Sequence, residues 1–235
     1  MADILLIHGT WTGGWLWKPV REKLTARGHN VLTPTLTGLG EREHLLTRST
    51  DMETHISDVS AVIEYEMLDK VIAVGHSYAG MLLCALAERM PERIAATIFV
   101  NAGLPKDGES MLDFQTPERV KELYALVEAK GDGYRVPRSM LLKTGLTDPA
   151  EEEAALRRTS DHPLSTLTAS LDIGAALSQI TRKLHVTSEH ASKRFTADHA
   201  WAKSQSDWQT AELGVSHFPM LTNPDEVAEL IDKIA

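Results

Sequence analysis

Ser77 lies in the run Gly75-His76-Ser77-Tyr78-Ala79-Gly80, directly after the apolar stretch Val71-Ile72-Ala73-Val74 and ahead of a helical pattern from Tyr78 to Met90. A serine on a tight turn between strand and helix has its Oγ lifted above the sheet, where it can attack an electrophile. Small neighbours suit so sharp a turn, although the fifth place of G-x-S-x-G holds Ala79 here, with Gly80 one later. A serine hydroxyl is a poor nucleophile until a base takes its proton, and an imidazole titrating near neutral pH does so well. His217, in Gly214-Val215-Ser216-His217-Phe218-Pro219-Met220, follows Ser77 in the chain and precedes a helix opened by Asn223-Pro224. That is the chain order Ser…acid…His of nucleophile-elbow enzymes.

The third member must be a carboxylate at a strand end before His217, where it fixes the imidazole tautomer and stabilises the imidazolium. Glu189 follows the strand-like Lys183-Leu184-His185-Val186-Thr187 directly and is the favoured acid. Asp198 comes next; Asp198 and Asp207 both fall in text that reads as helix or as the approach to the following strand. Asn101, after Ala96-Thr97-Ile98-Phe99-Val100, occupies a suitable strand end, but an amide cannot offset an imidazolium charge. An oxyanion intermediate needs two fixed donors. The expected pair is the backbone N–H of Tyr78 and that of Thr10, in Ile7-His8-Gly9-Thr10-Trp11 at the end of the first strand. Trp11, Tyr78 and Phe218 are expected to approach substrate, whereas Trp15 and Trp17 read as packing residues.

Short apolar strands alternate with helices along the chain, which indicates an α/β fold with a mostly parallel, doubly wound sheet covered on both faces. Strands are expected at Ile4–Ile7, Asn30–Thr33, Val71–Val74, Ala96–Val100, Lys183–Thr187 and Thr210–Leu213. Helices are expected at Lys18–Arg27, His55–Tyr65, Tyr78–Met90 and Pro224–Ile234. Residues 105–182 break the alternation with helical, polar text over Pro117–Lys130, Pro149–Thr159 and Leu164–Leu177. An insertion at the carboxyl ends of the strands is where a lid sits. The expected organisation is therefore a core of residues 1–104 and 183–235 carrying a helical lid of residues 105–182.

With 235 residues, 43% apolar and 24% charged, the chain can bury a substantial core. The net charge of −9 leaves no basic surplus for phosphates, so no nucleic-acid partner is expected, and no polybasic membrane patch. Cys84 is the single cysteine and cannot form an internal disulfide. The start, Met1-Ala2-Asp3-Ile4-Leu5-Leu6-Ile7-His8, lacks a basic region and a long apolar run, so neither a signal peptide nor a membrane span is read there. A cytoplasmic location is expected. His185, Glu189, His190, Asp198 and His199 lie close in sequence, but no H-E-x-x-H occurs and a spacing of five does not share a helix face, so no metal is expected. The run Glu151-Glu152-Glu153 with Arg157-Arg158 reads as a solvated helix face.

Taken together, these segments resemble the α/β-hydrolase superfamily. The closer resemblance is to its plant methylesterase and hydroxynitrile lyase branch and to small bacterial relatives. The carriers are His8-Gly9-Thr10-Trp11 with Gly13-Gly14-Trp15-Leu16-Trp17, Gly75 to Gly80, Thr187-Ser188-Glu189, and Ser216-His217 with Met220 and Pro224. Thr33-Pro34-Thr35-Leu36-Thr37-Gly38-Leu39-Gly40-Glu41-Arg42 also resembles a group of bacterial hydrolases. The resemblance implies an esterase-like serine hydrolase that forms an acyl-enzyme with a small-molecule acyl substrate, without a cofactor, and it allows a homodimer. That branch has Asp where Glu189 stands, a longer arm by one methylene here. Its lyase members have Thr after the first histidine and Lys after the catalytic one. Gly9 and Phe218 fill those places, which favours hydrolysis over cyanohydrin cleavage. The other classes to weigh are a ligand-binding or signalling homologue without turnover, and a cofactor-free lyase or oxygenase on the same fold.

Overall fold

The computed structural model describes residues 1–141, 143–189, 192–214 and 216–235. Six parallel strands form one sheet: β1 (Asp3–Ile7), β2 (Asn30–Leu32), β3 (Val71–His76), β4 (Ile94–Val100), and two later strands. A two-stranded antiparallel ribbon, β5 (Arg135–Val136) with β6 (His162–Pro163), stands apart from it. The remaining sheet strands are β7 (Arg182–Ser188) and β8 (Gln209–Leu213), and the sheet order is β2-β1-β3-β4-β7-β8.

Side chains along the strands alternate between two buried cores because successive residues point to opposite faces. Leu5, Ile7, Val71 and Ala73 enter one core, while Ile4, Leu6, Ile72 and Val74 enter the other. Helices α1 (Lys18–Ala26) and α2 (Met52–Tyr65) therefore cover opposite faces: Val20 and Leu24 join the second core, Ile56 and Val59 the first. Helix α3 (Ala79–Arg89) lies with α2 and is buried along most of its length. An all-parallel sheet needs such double cover.

The expected elements are present with shifted ends, except in the inserted segment. There α4 (Pro117–Lys130) and α5 (Pro149–Arg157) match the sequence expectation, but the helix expected over Leu164–Leu177 is broken. It becomes α6 (Leu164–Thr168) and α7 (Ala176–Gln179). The chain between them spends its backbone on the 107–109 turn instead: the Asp107 carboxylate accepts from the Ile173 N–H (2.9 Å), and Leu171 exchanges backbone bonds with Gly108 and Glu109. That lets Leu171 and Ile173 reach the core. The chain closes with α8 (Lys193–Ser204), α9 (Pro219–Thr222) and α10 (Pro224–Ile234), the last packed beside α1. No helix among the described residues is long and apolar enough to cross a membrane.

Candidate active site

In the order β2-β1-β3-β4 the chain winds one way from β1 to β2 and the other way from β1 to β3. Ligands bind outside the strand ends at such a reversal. The ends of β1, β3 and β4 each carry a non-glycine residue in the left-handed region: Trp11 (φ 62°), Ser77 (φ 53°) and Asn101 (φ 45°). Each such residue costs on the order of 1–3 kcal/mol and persists only where its surroundings impose it.

At Ser77 the surroundings are glycines. A Cβ on Gly75 would lie 2.9 Å from the Ala79 carbonyl, and one on Gly9 would lie 3.1 Å from the Ser77 Cβ and 2.9 Å from His76 Nδ1. The glycine after the elbow stands at 80 because α3 crosses the chain beyond β4 there. A Cβ on Gly80 would come within 2.3 Å of the Gly103 carbonyl, whereas Ala79 is buried without such a conflict.

Ser77 and His217 open onto one cavity of about 320 Å³, with Thr10, Trp11 and Phe218 also in its wall. Half of the wall comes from the inserted segment, including Met111, Leu123, Met140 and Leu167, so the pocket is largely apolar. A larger cavity of about 750 Å³ lies between residues 143–151 and 216–223 and shares His217 and Phe218. Ser77 does not line it, so it cannot hold an electrophile against that hydroxyl.

The His217 segment is fixed through its backbone. Its carbonyl accepts from His76 Nε2 (3.0 Å) and from the Asn101 amide (3.1 Å). The ring packs between Phe195, stacked at 6.0 Å, and His76 at 4.7 Å. Burial in these rings pushes the His217 pKa down to about 4, so the imidazole is neutral at pH 7. Asn101, as an amide no candidate for the acid, holds this loop instead. His76 was overlooked, although a histidine beside the elbow serine was visible in the sequence. Since His76 Nε2 donates, Nδ1 carries the lone pair, and that atom is buried without a partner.

Among the described residues no backbone or side-chain acceptor takes up the N–H of Thr10 or of Tyr78. Tyr78 also opens α3, whose N-terminal dipole favours negative charge beside Ser77. The expectation for the Tyr78 side chain needs correction. Its ring is fully buried and its hydroxyl lies 3.0 Å from His55 Nδ1, turned into the core away from the cavity. The ring is the side chain that fills the space beneath the elbow. Trp17 is likewise fully buried, and Trp15 lies under the Arg158 guanidinium.

Glu189 stands exposed just after β7, with a carboxylate oxygen 3.5 Å from where a Cβ on Gly214 would sit. Among the described residues it makes no hydrogen bond to the His217 ring. Asp198 is committed elsewhere, accepting from the Leu104 N–H (3.0 Å) and from Arg194 Nε (3.0 Å). Asp207 is held by Lys183. No group of three or more described His, Cys, Asp or Glu residues is arranged to hold a metal, and His190 lies outside the described residues.

A model of the alpha/beta hydrolase family matches residues 4–230. The chain belongs to the alpha/beta hydrolase family. This alpha/beta hydrolase is 31% identical to a carbendazim hydrolyzing esterase of Nocardioides sp. (strain SG-4G), over 97% of this chain and 98% of that protein. It is 24% identical to esterase PIR7B of Oryza sativa subsp. japonica, over 98% and 94% of the two chains. Among solved structures it superposes on an extracellular alpha/beta-hydrolase from a Paenibacillus species with a TM-score of 0.87, at 24% identity and covering 100% and 99% of the chains. Bacterial and plant esterases thus share the fold described above.

Proposed function

We propose that the protein is a serine hydrolase of carboxylesterase type acting on a small ester or related acyl compound. The observation that carries this reading is the shared cavity, whose wall holds the strained Ser77, the neutral His217 and Thr10, with the uncommitted N–H of Tyr78 next to Ser77 in the chain. Ser77 Oγ attacks the carbonyl carbon while His217 takes its proton. The Thr10 and Tyr78 N–H groups hold the resulting oxyanion. The intermediate collapses to an acyl-enzyme as His217 returns the proton to the departing alcohol, and water then repeats the cycle. Glu189 is the proposed acid: it stands at the strand end such a group needs, and Gly214, beside it, begins the loop carrying His217. Residues 105–182 act as the lid, supplying half of the pocket wall.

Hydrolysis is preferred over cyanohydrin cleavage because Gly9 is packed against His76 and Ser77 and leaves no room for a branched side chain. Trp11 and Phe218 bound the acyl or leaving group. The relative named for carbendazim makes carbendazim a compound to include beside short-chain p-nitrophenyl esters. Turnover by wild type that is lost in Ser77→Ala supports the reading. Ligand-induced melting shifts without turnover would replace it with a binding role.

A further inference from the structure

We propose that the β5–β6 ribbon of the inserted segment is the scaffold of the oxyanion site, with His162 as the positioning residue that holds Trp11 and Tyr78 together. The proposal rests on the reading of Ser77 as nucleophile. The two donor N–H groups come from different strand ends, Thr10 after β1 and Tyr78 after β3, and their usefulness depends on staying in register. The side chains that could fix that register are the neighbours Trp11 and Tyr78, and both are met by the ribbon.

Three contacts tie Trp11 to it. The indole Nε1–H donates to the Val136 carbonyl (3.2 Å), the Trp11 carbonyl accepts from the Ser160 N–H (2.9 Å), and the indole meets the His162 ring edge-on at 6.5 Å. Val136 and His162 are paired across the ribbon, so the two indole contacts belong to one unit, and Ser160 stands two residues ahead of β6. On its other side His162 meets the Tyr78 ring at 5.1 Å and the His55 ring at 5.9 Å, both edge-on. His162 is fully buried.

The orientation of His162 is set by bonds outside the site. Thr166 Oγ1 donates to the Pro163 carbonyl (2.8 Å), so it accepts from His162 Nε2–H (2.8 Å). That leaves His162 Nδ1 buried without a partner. The imidazole is a ring clamped by one hydrogen bond, wedged between Tyr78, which carries one donor, and Trp11, the neighbour of the other. Tyr78 is fixed from behind in the same way: its hydroxyl donates to His55 Nδ1, and His55 Nε2–H is donated to the Thr37 carbonyl (2.9 Å).

The test measures kcat and KM separately on p-nitrophenyl esters for His162→Ala, His162→Phe and Thr166→Val, none of which lines the cavity. Removing one oxyanion donor outright costs about 100- to 1000-fold in kcat, so a loosened donor should cost about 10-fold or more. His162→Ala is expected to lose at least that in kcat with KM within about twofold. His162→Phe, which restores the ring, should recover to within about threefold of wild type, and Thr166→Val should fall between them. A His162→Ala enzyme with kcat within about twofold of wild type overturns the proposal, as does a loss that His162→Phe fails to recover. If His162→Ala does not fold, unchanged kcat in Thr166→Val overturns it. Failure of the hydrolase reading itself would appear differently, as turnover by wild type that does not depend on Ser77.

Discussion

The protein should lose stability between pH 6.5 and pH 4 through its buried histidines, well before most of its carboxylates protonate. Burial holds His8, His185 and His217 at pKa values of about 4, against 6.5 in the unfolded chain. Each is fixed as the neutral ring. His8 Nε2, for example, accepts from the Leu36 N–H (3.1 Å), which leaves Nδ1–H to donate to the Gly9 carbonyl (2.9 Å). Because the folded pKa lies below the unfolded one, the unfolded chain takes up protons first as the pH falls. The stability tied to these groups is complete above about 6.5 and drains away down to about 4. At pH 5 each histidine has cost about 2 kcal/mol, and the three together about 5–6 kcal/mol relative to pH 7. His55, His76, His162 and His199 are shifted in the same direction, by burial first in each case. A domain of this kind has roughly 5–15 kcal/mol in total, so the shift is large enough to unfold it. Urea melts at pH 7.5, 6.5, 5.5 and 5.0, followed by circular dichroism, give the stability at each pH. The slope near pH 5 should correspond to uptake of at least about two to three protons on unfolding, the share of these three groups alone. A stability that stays flat from pH 7 to pH 5 would refute the reasoning, since carboxylates held low by partners, such as Glu53 and Glu109, act only below that range.

Other outcomes follow from the same geometry. With His217 near 4, kcat/KM should hold between pH 7.5 and 5.5 in enzyme that is still folded, because the active base is the neutral ring. An ordinary histidine near 6.5 would have lost about nine-tenths of its activity by pH 5.5, and such a loss would contradict the burial argument. Gly80→Ala forces a Cβ against the Gly103 carbonyl and should lower stability by about 1–3 kcal/mol in a urea melt; an unchanged midpoint would show that α3 can move away. Glu189→Gln should cut kcat by about 100-fold or more while leaving the melt unchanged. Asp198→Asn should mainly lower stability by loosening Arg194 and the Leu104 turn; a reversal of these two effects would make Asp198 the acid.

Much of the sheet was legible because double burial imposes continuous apolar runs, and Ile4–Ile7 or Val71–Val74 can hardly form anything else. The elbow was legible for a related reason: strand, small residues and helix must follow one another if a serine is to project from the sheet. What could not be read depended on partners distant in sequence. The segment 169–175 has helical residue types but satisfies its backbone against the 107–109 turn. The β5–β6 ribbon has only two residues per strand, too few for any periodicity to show. Tyr78 was expected at the substrate because it neighbours Ser77. Yet a left-handed serine reverses the chain, and the next side chain drops into the core beside His55. The partner of His217 was the weakest point of the sequence argument. Three carboxylates competed for that role, and only the structure showed that Arg194 and the Leu104 N–H occupy Asp198 while Lys183 holds Asp207.

The central claim is that Ser77 Oγ is the attacking atom. The direct measurement is reaction of the folded protein with a fluorophosphonate, followed by intact-mass and peptide mass spectrometry. The account predicts a single adduct on the peptide carrying Ser77, absent from Ser77→Ala and strongly slowed in His217→Ala. Equal labelling of wild type and Ser77→Ala, or an adduct on any other residue, would contradict it.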